Sequence, residues 1–178
     1  MWLVLLFLGV AAAAPPGADR IIGGYECRPH SQPWLASINL GYHSCGGALI
    51  ADQWVVSAAH CAYYAQAMLV ILGEHNLQVF EHTEHLMHVE TVVTHPNYNE
   101  ETLDYDIMLV KLAQPVQRDA NVQPVALPTA CAMAGTSCVM SGWGNTLSNG
   151  ILSCFPFANL CLQLGVSLGP CLCLAASL

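Results

Sequence analysis

Short apolar runs punctuated by glycine, proline and asparagine make up the body of the chain, from Ile21 to Gly150. Trp34–Ile38 and Ala48–Val56 are bounded by Pro33, Gly41 and Gly46-Gly47. Met68–Leu72, His88–Val93 and Ile107–Leu112 are further runs rich in β-branched residues. Runs of this length between turn-forming residues predict β-strands. Many short strands at this spacing predict an all-β barrel or sandwich. No internal repeat is evident. Ala113–Pro128, with Pro115, Pro124 and Pro128, reads as an extended connector between two units.

The two ends of the chain follow other patterns. Met1–Val10 is apolar and Ala11–Ala14 offers the small side chains that suit signal peptidase. The run is shorter than the roughly 20 residues a membrane-spanning helix needs, and Pro15-Pro16-Gly17 stops it. We therefore expect a signal peptide over 1–14 and a secreted, extracellular product in an oxidising compartment. The tail, Ile151–Leu178, has no Asp, Glu, Lys, Arg or His in 28 residues, yet holds 8 Leu and 4 Cys. Pro156, Gly165, Gly169 and Pro170 leave it no clean apolar run of membrane-spanning length. It also lacks the polar spacer of a lipid-anchor signal. The expectation is a divergent segment that does not complete the fold of residues 21–150.

Composition narrows the function classes. The 178 residues suit one domain, and 9% charged residues against a usual share of about 25% excludes a disordered chain. Twelve acidic residues against four basic ones, a formal charge of −8, exclude the clustered Lys and Arg of a nucleic-acid footprint. Eight histidines make that charge sensitive to pH near neutrality. Nine cysteines is an odd number, so at least one thiol lacks an internal partner.

Several short motifs then occur in a telling order. Arg20-Ile21-Ile22-Gly23-Gly24 looks like the activation junction of a trypsin-like serine protease. Val56-Ser57-Ala58-Ala59-His60-Cys61 is similar to that family's catalytic-histidine segment, and Asp104-Tyr105-Asp106-Ile107-Met108-Leu109 to its catalytic-aspartate segment. Cys45-Gly46-Gly47, Gln123–Pro128 and Ser141-Gly142-Trp143-Gly144 also match, while Gly73-Glu74-His75-Asn76 resembles vertebrate digestive trypsins. The resemblance covers about 130 residues and implies a double β-barrel: a complete first barrel over about 21–112, the connector 113–128, and only the start of a second barrel over 129–150. It also implies an activation peptide over 15–20, removed by cleavage after Arg20 to free Ile21. The partners it implies are protein or peptide substrates and protease inhibitors, with no nucleic acid, no membrane and a monomeric state.

In this family a serine hydroxyl attacks the peptide carbonyl, a histidine takes its proton, and a buried aspartate holds the histidine's tautomer. By resemblance His60 is the general base and Asp106 its orienter. Asp104 is the competing carboxylate, but the apolar strand after Asp106 favours Asp106 as the buried partner. Cys45 and Cys61 match a family disulfide. Glu74, Asn76, Val79, Glu81 and Glu84 match the family's calcium loop, which implies a structural Ca2+ held by carboxylates and by backbone carbonyls at Asn76 and Val79. Glu81 is expected to act at longer range, through water. His82, His85 and His88 suggest zinc at first sight, but three-residue spacing on a strand alternates faces and scatters them.

The departures bear on activity. No Gly-Asp-Ser-Gly-Gly-Pro, the family's nucleophile segment, occurs in the chain. Gly165-Val166-Ser167-Leu168-Gly169-Pro170 keeps four of its six residues, with Val166 where the aspartate that receives the Ile21 ammonium belongs. Cys161 stands where trypsins place the carboxylate that selects Lys or Arg. Only 24 residues separate Trp143 from Ser167, and 11 follow it, too few for the family's second barrel. The expectation is an inactive chain in which Ser167 is not the nucleophile. Cys27, Cys131 and Cys138 match positions whose family partners lie downstream. Cys154 is a candidate to capture Cys27, and the pairing of Cys161, Cys171 and Cys173 stays open.

Overall fold

The computed structural model describes residues 25–130, 137–144 and 150–158. Nine strands lie in that range: β1 (Tyr25–Glu26), β2 (Leu35–Asn39), β3 (His43–Ala51), β4 (Trp54–Ser57), β5 (Leu69–Leu72), β6 (His85–Thr94), β7 (Met108–Leu112), β8 (Ser137–Gly142) and β9 (Ser153–Ala158). Six of them close into an all-antiparallel barrel in the order β2-β3-β4-β7-β6-β5, sealed by the pairing of β2 with β5. The other three form a separate sheet in the order β1-β9-β8. The first barrel is thus complete, and the second unit is a partial sheet.

Alternation explains the barrel. On β7, Met108, Val110 and Leu112 are buried while Leu109 and Lys111 face outward, the two-residue period of a strand with one wet face. Val70 and Leu72 on β5 and Ala36 and Ile38 on β2 add to the same core, which also takes in Leu49, Val55, Val116 and Val122. Each fully buried Leu or Val there contributes on the order of 1.5–3 kcal/mol. Gly47 has no room for a side chain, because a Cβ would sit 2.8 Å from the Val56 carbonyl across the β3–β4 pair.

Two differences from the sequence reading concern boundaries. Ala48–Val56 reads as one apolar run, but the chain turns at Asp52-Gln53 and folds it into the β3–β4 hairpin, pairing Ala51 with Trp54. Asp is a turn former, and its polarity interrupts a run whose apolar members serve two strands. The connector 113–128 does more than span two units. Val116 N–H donates to Asp52 O, Gln123 N–H to Pro33 O and Val125 N–H to Leu49 O, so the segment wraps the barrel and adds Val116 and Val122 to its core.

The compositional break after Gly150 is not an end of the fold. Ser153–Ala158 pairs along its length with β8, from Gly142↔Ser153 to Ser137↔Ala158. Tyr25 and Glu26 of β1 pair with its first two residues. Pro156 is tolerated because β9 has a single described neighbour there. Cys154 forms a disulfide with Cys27, and both pack with Trp143 and Leu152 in a small second core. Cys45 and Cys61 form the other disulfide. Residues 1–24, the activation junction, Cys131, Cys161, Ser167, Cys171, Cys173 and the side chain of Cys138 lie outside the described residues. Among the described residues no helix is long and apolar enough to cross a membrane.

The Cys27–Cys154 bridge spans 127 residues of chain. Replacing both cysteines by serine is expected to destabilise the protein by about 4–5 kcal/mol, the loop-entropy value for a loop of this order. A urea midpoint that does not move would show that β9 is held without it.

Candidate active site

The β4–β7 pairing builds the site. Ser57, the last residue of β4, stands opposite Met108, the first of β7. His60 follows Ser57 by three positions and Asp106 precedes Met108 by two, so one register brings both to the same rim of the barrel. His60 sits in a 3-10 turn, Ala59–Cys61, closed by Cys61 N–H to Ala58 O and Ala62 N–H to Ala59 O. The Cys61–Cys45 disulfide ties that turn to β3.

Asp106 is delivered by a tightly bonded loop. His95 N–H donates to Ile107 O, Asn99 N–H to Asp104 O and Ile107 N–H to Tyr105 O. Leu103 and Tyr105 take φ values of 57° and 56°, a left-handed conformation costly for bulky residues and held only where the surroundings enforce it. The His95 ring stacks on Tyr105 with centroids 4.7 Å apart and planes 8° from parallel. Sequence reasoning missed this stack, since nothing in a single sequence marks two rings ten positions apart as partners.

The result is a two-point grip. Asp106 Oδ1 accepts the His60 backbone N–H at 2.8 Å, and Oδ2 accepts from His60 Nδ1 at 2.6 Å. The Asp106 side chain is 11% exposed and that of His60 43%, so the carboxylate is shielded while the imidazole keeps an open edge. With the Nδ1 proton held by the carboxylate, the neutral ring presents Nε2 as a lone pair, the arrangement of a general base. Asp104 stays in its own loop, where its side chain accepts from Thr102 Oγ1 at 3.0 Å.

A second cluster lies in the loop between β5 and β6. Gly73 opens it at φ 75°, and a Cβ there would collide with the Thr83 carbonyl. Ligand oxygens of Glu74, Glu81 and Glu84 lie within 4.8 Å of one another. Glu81 Oε2 accepts from His75 and Asn76 N–H at 2.8 and 3.1 Å, and Glu84 accepts from Glu81 and Thr83 N–H. Glu74 Oε1 is buried with no hydrogen-bond partner. Burial first, then the charges of Glu84 and Glu81, push the Glu74 carboxyl up to about 7. Three converging carboxylates with an unsatisfied buried oxygen fit a hard divalent cation. Asn76 and Val79 form the intervening turn, with Val79 N–H donating to Asn76 O. The neighbouring histidines do not converge: His85 Nε2 bonds Asp119 at 2.8 Å, and His88 lies opposite Leu69 on β6.

His75 is the other residue that sequence reasoning passed over. It is 4% exposed, and its carbonyl accepts from both the Trp143 indole and the Leu152 N–H. It appeared only as one letter of a motif, and no periodicity marks it as a junction.

Asp106→Ala is expected to remove the low-field imidazole proton resonance of His60. It should also lower stability by about 1.5–3 kcal/mol, the range for hydrogen bonds to a charged group. A low-field signal that persists would mean the proton is held elsewhere.

Comparison with known proteins places this geometry. The family model described as Trypsin matches residues 21–164. Serine protease 1 of Rattus norvegicus is 55% identical over 150 residues, covering 84% of this chain and 60% of that protein. Trypsin II-P29 of Gallus gallus is 53% identical over 152 residues, and the anionic trypsin of Bos taurus 51% over 150, with the same shares covered. The chain therefore spans about three fifths of the length of these curated relatives. The match takes in the barrel, the His60–Asp106 pair and β9 alike, and on that coverage the chain belongs to the trypsin family.

Proposed function

We propose that this chain is a secreted serine-endopeptidase scaffold that presents the family's acid–base pair and does not itself cleave peptide bonds. The observation that carries the first half is the His60–Asp106 grip, with Nδ1 bonded at 2.6 Å and the ring edge open. The second half rests on the absence of Gly-Asp-Ser-Gly-Gly-Pro from the 178 residues, on Val166 beside Ser167 and on Cys161 in place of a selectivity carboxylate. A general base without a positioned hydroxyl has no proton to take, and the donors that would stabilise an oxyanion belong to the nucleophile segment. The open histidine rim instead suits peptide segments of protein substrates or protease inhibitors, bound without turnover. Secretion rests on the apolar leader and on the two disulfides, which persist in oxidising compartments.

Calcium belongs to the same proposal. Glu74, Glu81 and Glu84 would supply carboxylate oxygens, and Asn76 and Val79 backbone carbonyls. The ion's part is structural: it neutralises three carboxylates crowded into one loop.

A fluorophosphonate probe should leave the full chain unlabelled, both before and after cleavage following Arg20. Peptide hydrolysis should sit roughly 10⁶-fold below that of an intact triad, the scale of losing the serine. Labelling at Ser167 would overturn the non-catalytic half of the proposal.

The acidic loop gives a pH signature. Unfolded Glu74 ionises near its ordinary 4.5, whereas folded Glu74 holds its proton to about 7. Between those values the native state binds more protons, so in cation-free buffer stability should fall as pH rises from 4.5 to 7 and then level off. Calcium should erase the fall, and Glu74→Gln should flatten it. Thermal melts that show the same slope with and without calcium would remove the ion from this loop.

A further inference from the structure

Two imidazoles at the junction of the barrel with the second sheet are left incomplete. His30 lies in the segment joining β1 to β2, and His75 in the acidic loop after β5. Their ring centroids are 6.1 Å apart with planes tilted by 56°. Each has a buried Nδ1 with no hydrogen-bond partner. The other nitrogen of His75, Nε2, lies 3.1 Å from Glu26 Oε1 on β1. A carboxylate only accepts, so Nε2 carries a proton, and in that tautomer of the uncharged ring Nδ1 is a bare lone pair. A lone pair buried without a donor is costly, and a second orphaned nitrogen on a ring whose centre lies 6.1 Å away invites one occupant for both.

We propose that His30 and His75 form a binding site for a borderline divalent transition-metal ion, zinc or copper(II), with the Nδ1 atom of each ring as a ligand. Two imidazoles bound at about 2.0–2.1 Å to one such ion hold their ring centres roughly 5 Å apart at a tetrahedral angle and roughly 6.4 Å apart when opposite, and the observed 6.1 Å corresponds to a wide ligand–metal–ligand angle. Glu26 plays the part that outer carboxylates play for metal-bound histidines: it fixes the tautomer and makes Nδ1 the more basic ligand. Among the described residues no third His, Cys, Asp or Glu ligand joins the two rings, so water completes the coordination. The donor set separates this site from its neighbour, because imidazole nitrogens take zinc or copper while the three glutamates take a hard oxygen-seeking cation. The Glu26 side chain is 58% exposed, which gives an ion a route from solvent. The site joins three segments, β1, the approach to β2 and the acidic loop. Occupancy would therefore fasten the second sheet to the barrel at the point where the His75 carbonyl already holds Trp143 and Leu152.

The test titrates zinc into the calcium-saturated full chain and follows the imidazole nitrogens by NMR. The Nδ1 resonances of His30 and His75 should move together to the metal-ligated position at one equivalent. Glu26→Gln should weaken zinc binding by about 10–100-fold without changing calcium affinity. His30→Ala should abolish it, while His85→Ala should leave it intact. Zinc that leaves both Nδ1 resonances unmoved would overturn the proposal, the pair then being satisfied by a bridging water. Equal zinc affinity in His30→Ala, or displacement of zinc by excess calcium, would overturn it as well. If His30→Ala fails to fold, the resonances of the unsubstituted chain decide the matter alone.

Discussion

Closure of the six-strand barrel is the constraint on which the candidate site depends. Pairing of β2 with β5 seals the ring, and a sealed ring has no free edge along which a strand can slip. Register is then set by burial: a one-residue slip of β7 would turn Met108, Val110 and Leu112 to solvent and bring Leu109 and Lys111 inward. The same register carries Asp106 to His60. Apolar packing inside the barrel thus fixes a polar contact on its rim, with the Cys45–Cys61 disulfide and the 95–107 loop refining the last positions.

A second constraint joins the two sheets, and it is concentrated in a few peptide groups. The 75–77 backbone gives its N–H groups at 75 and 76 to Glu81 on one side. On the other, the His75 carbonyl receives Trp143 and Leu152, and Leu77 N–H donates to Gly150 O. His43 adds an edge contact to Trp143 at 5.5 Å. The order of the acidic loop and the seating of the second sheet are therefore one property seen from two sides.

How much of this was legible in the sequence depends on the range of the interaction. Barrel strands announce themselves through alternation and turn residues, so Trp34–Ile38, Met68–Leu72 and Ile107–Leu112 fall within a residue or so of β2, β5 and β7. His60 and Asp106 were legible through the resemblance of their segments to the trypsin family, since neither periodicity nor composition marks them. Long-range partners leave no such trace. Composition placed a boundary after Gly150, yet charge content says nothing about backbone pairing, and β9 is built from residues as uncharged as those that follow it. The His95–Tyr105 stack and the His75 junction were hidden for the same reason, whereas the Cys27–Cys154 bridge was open to the sequence as one candidate pairing.

The supports of the acid–base pair are drawn from a narrow part of the chain. His60 is held by β3, β4 and the 59–61 turn, and Asp106 by the 95–107 loop and the start of β7. None of these contacts needs a nucleophile, an oxyanion hole or a specificity pocket. The pair is in this sense a property of the first barrel alone. Position also limits what such a pair achieves by itself. Among the described residues the His60 side chain is 43% exposed, and water at that edge screens the charge that would develop there. A preserved histidine and aspartate are thus evidence of a folded barrel first and of catalysis only when a second wall closes over them.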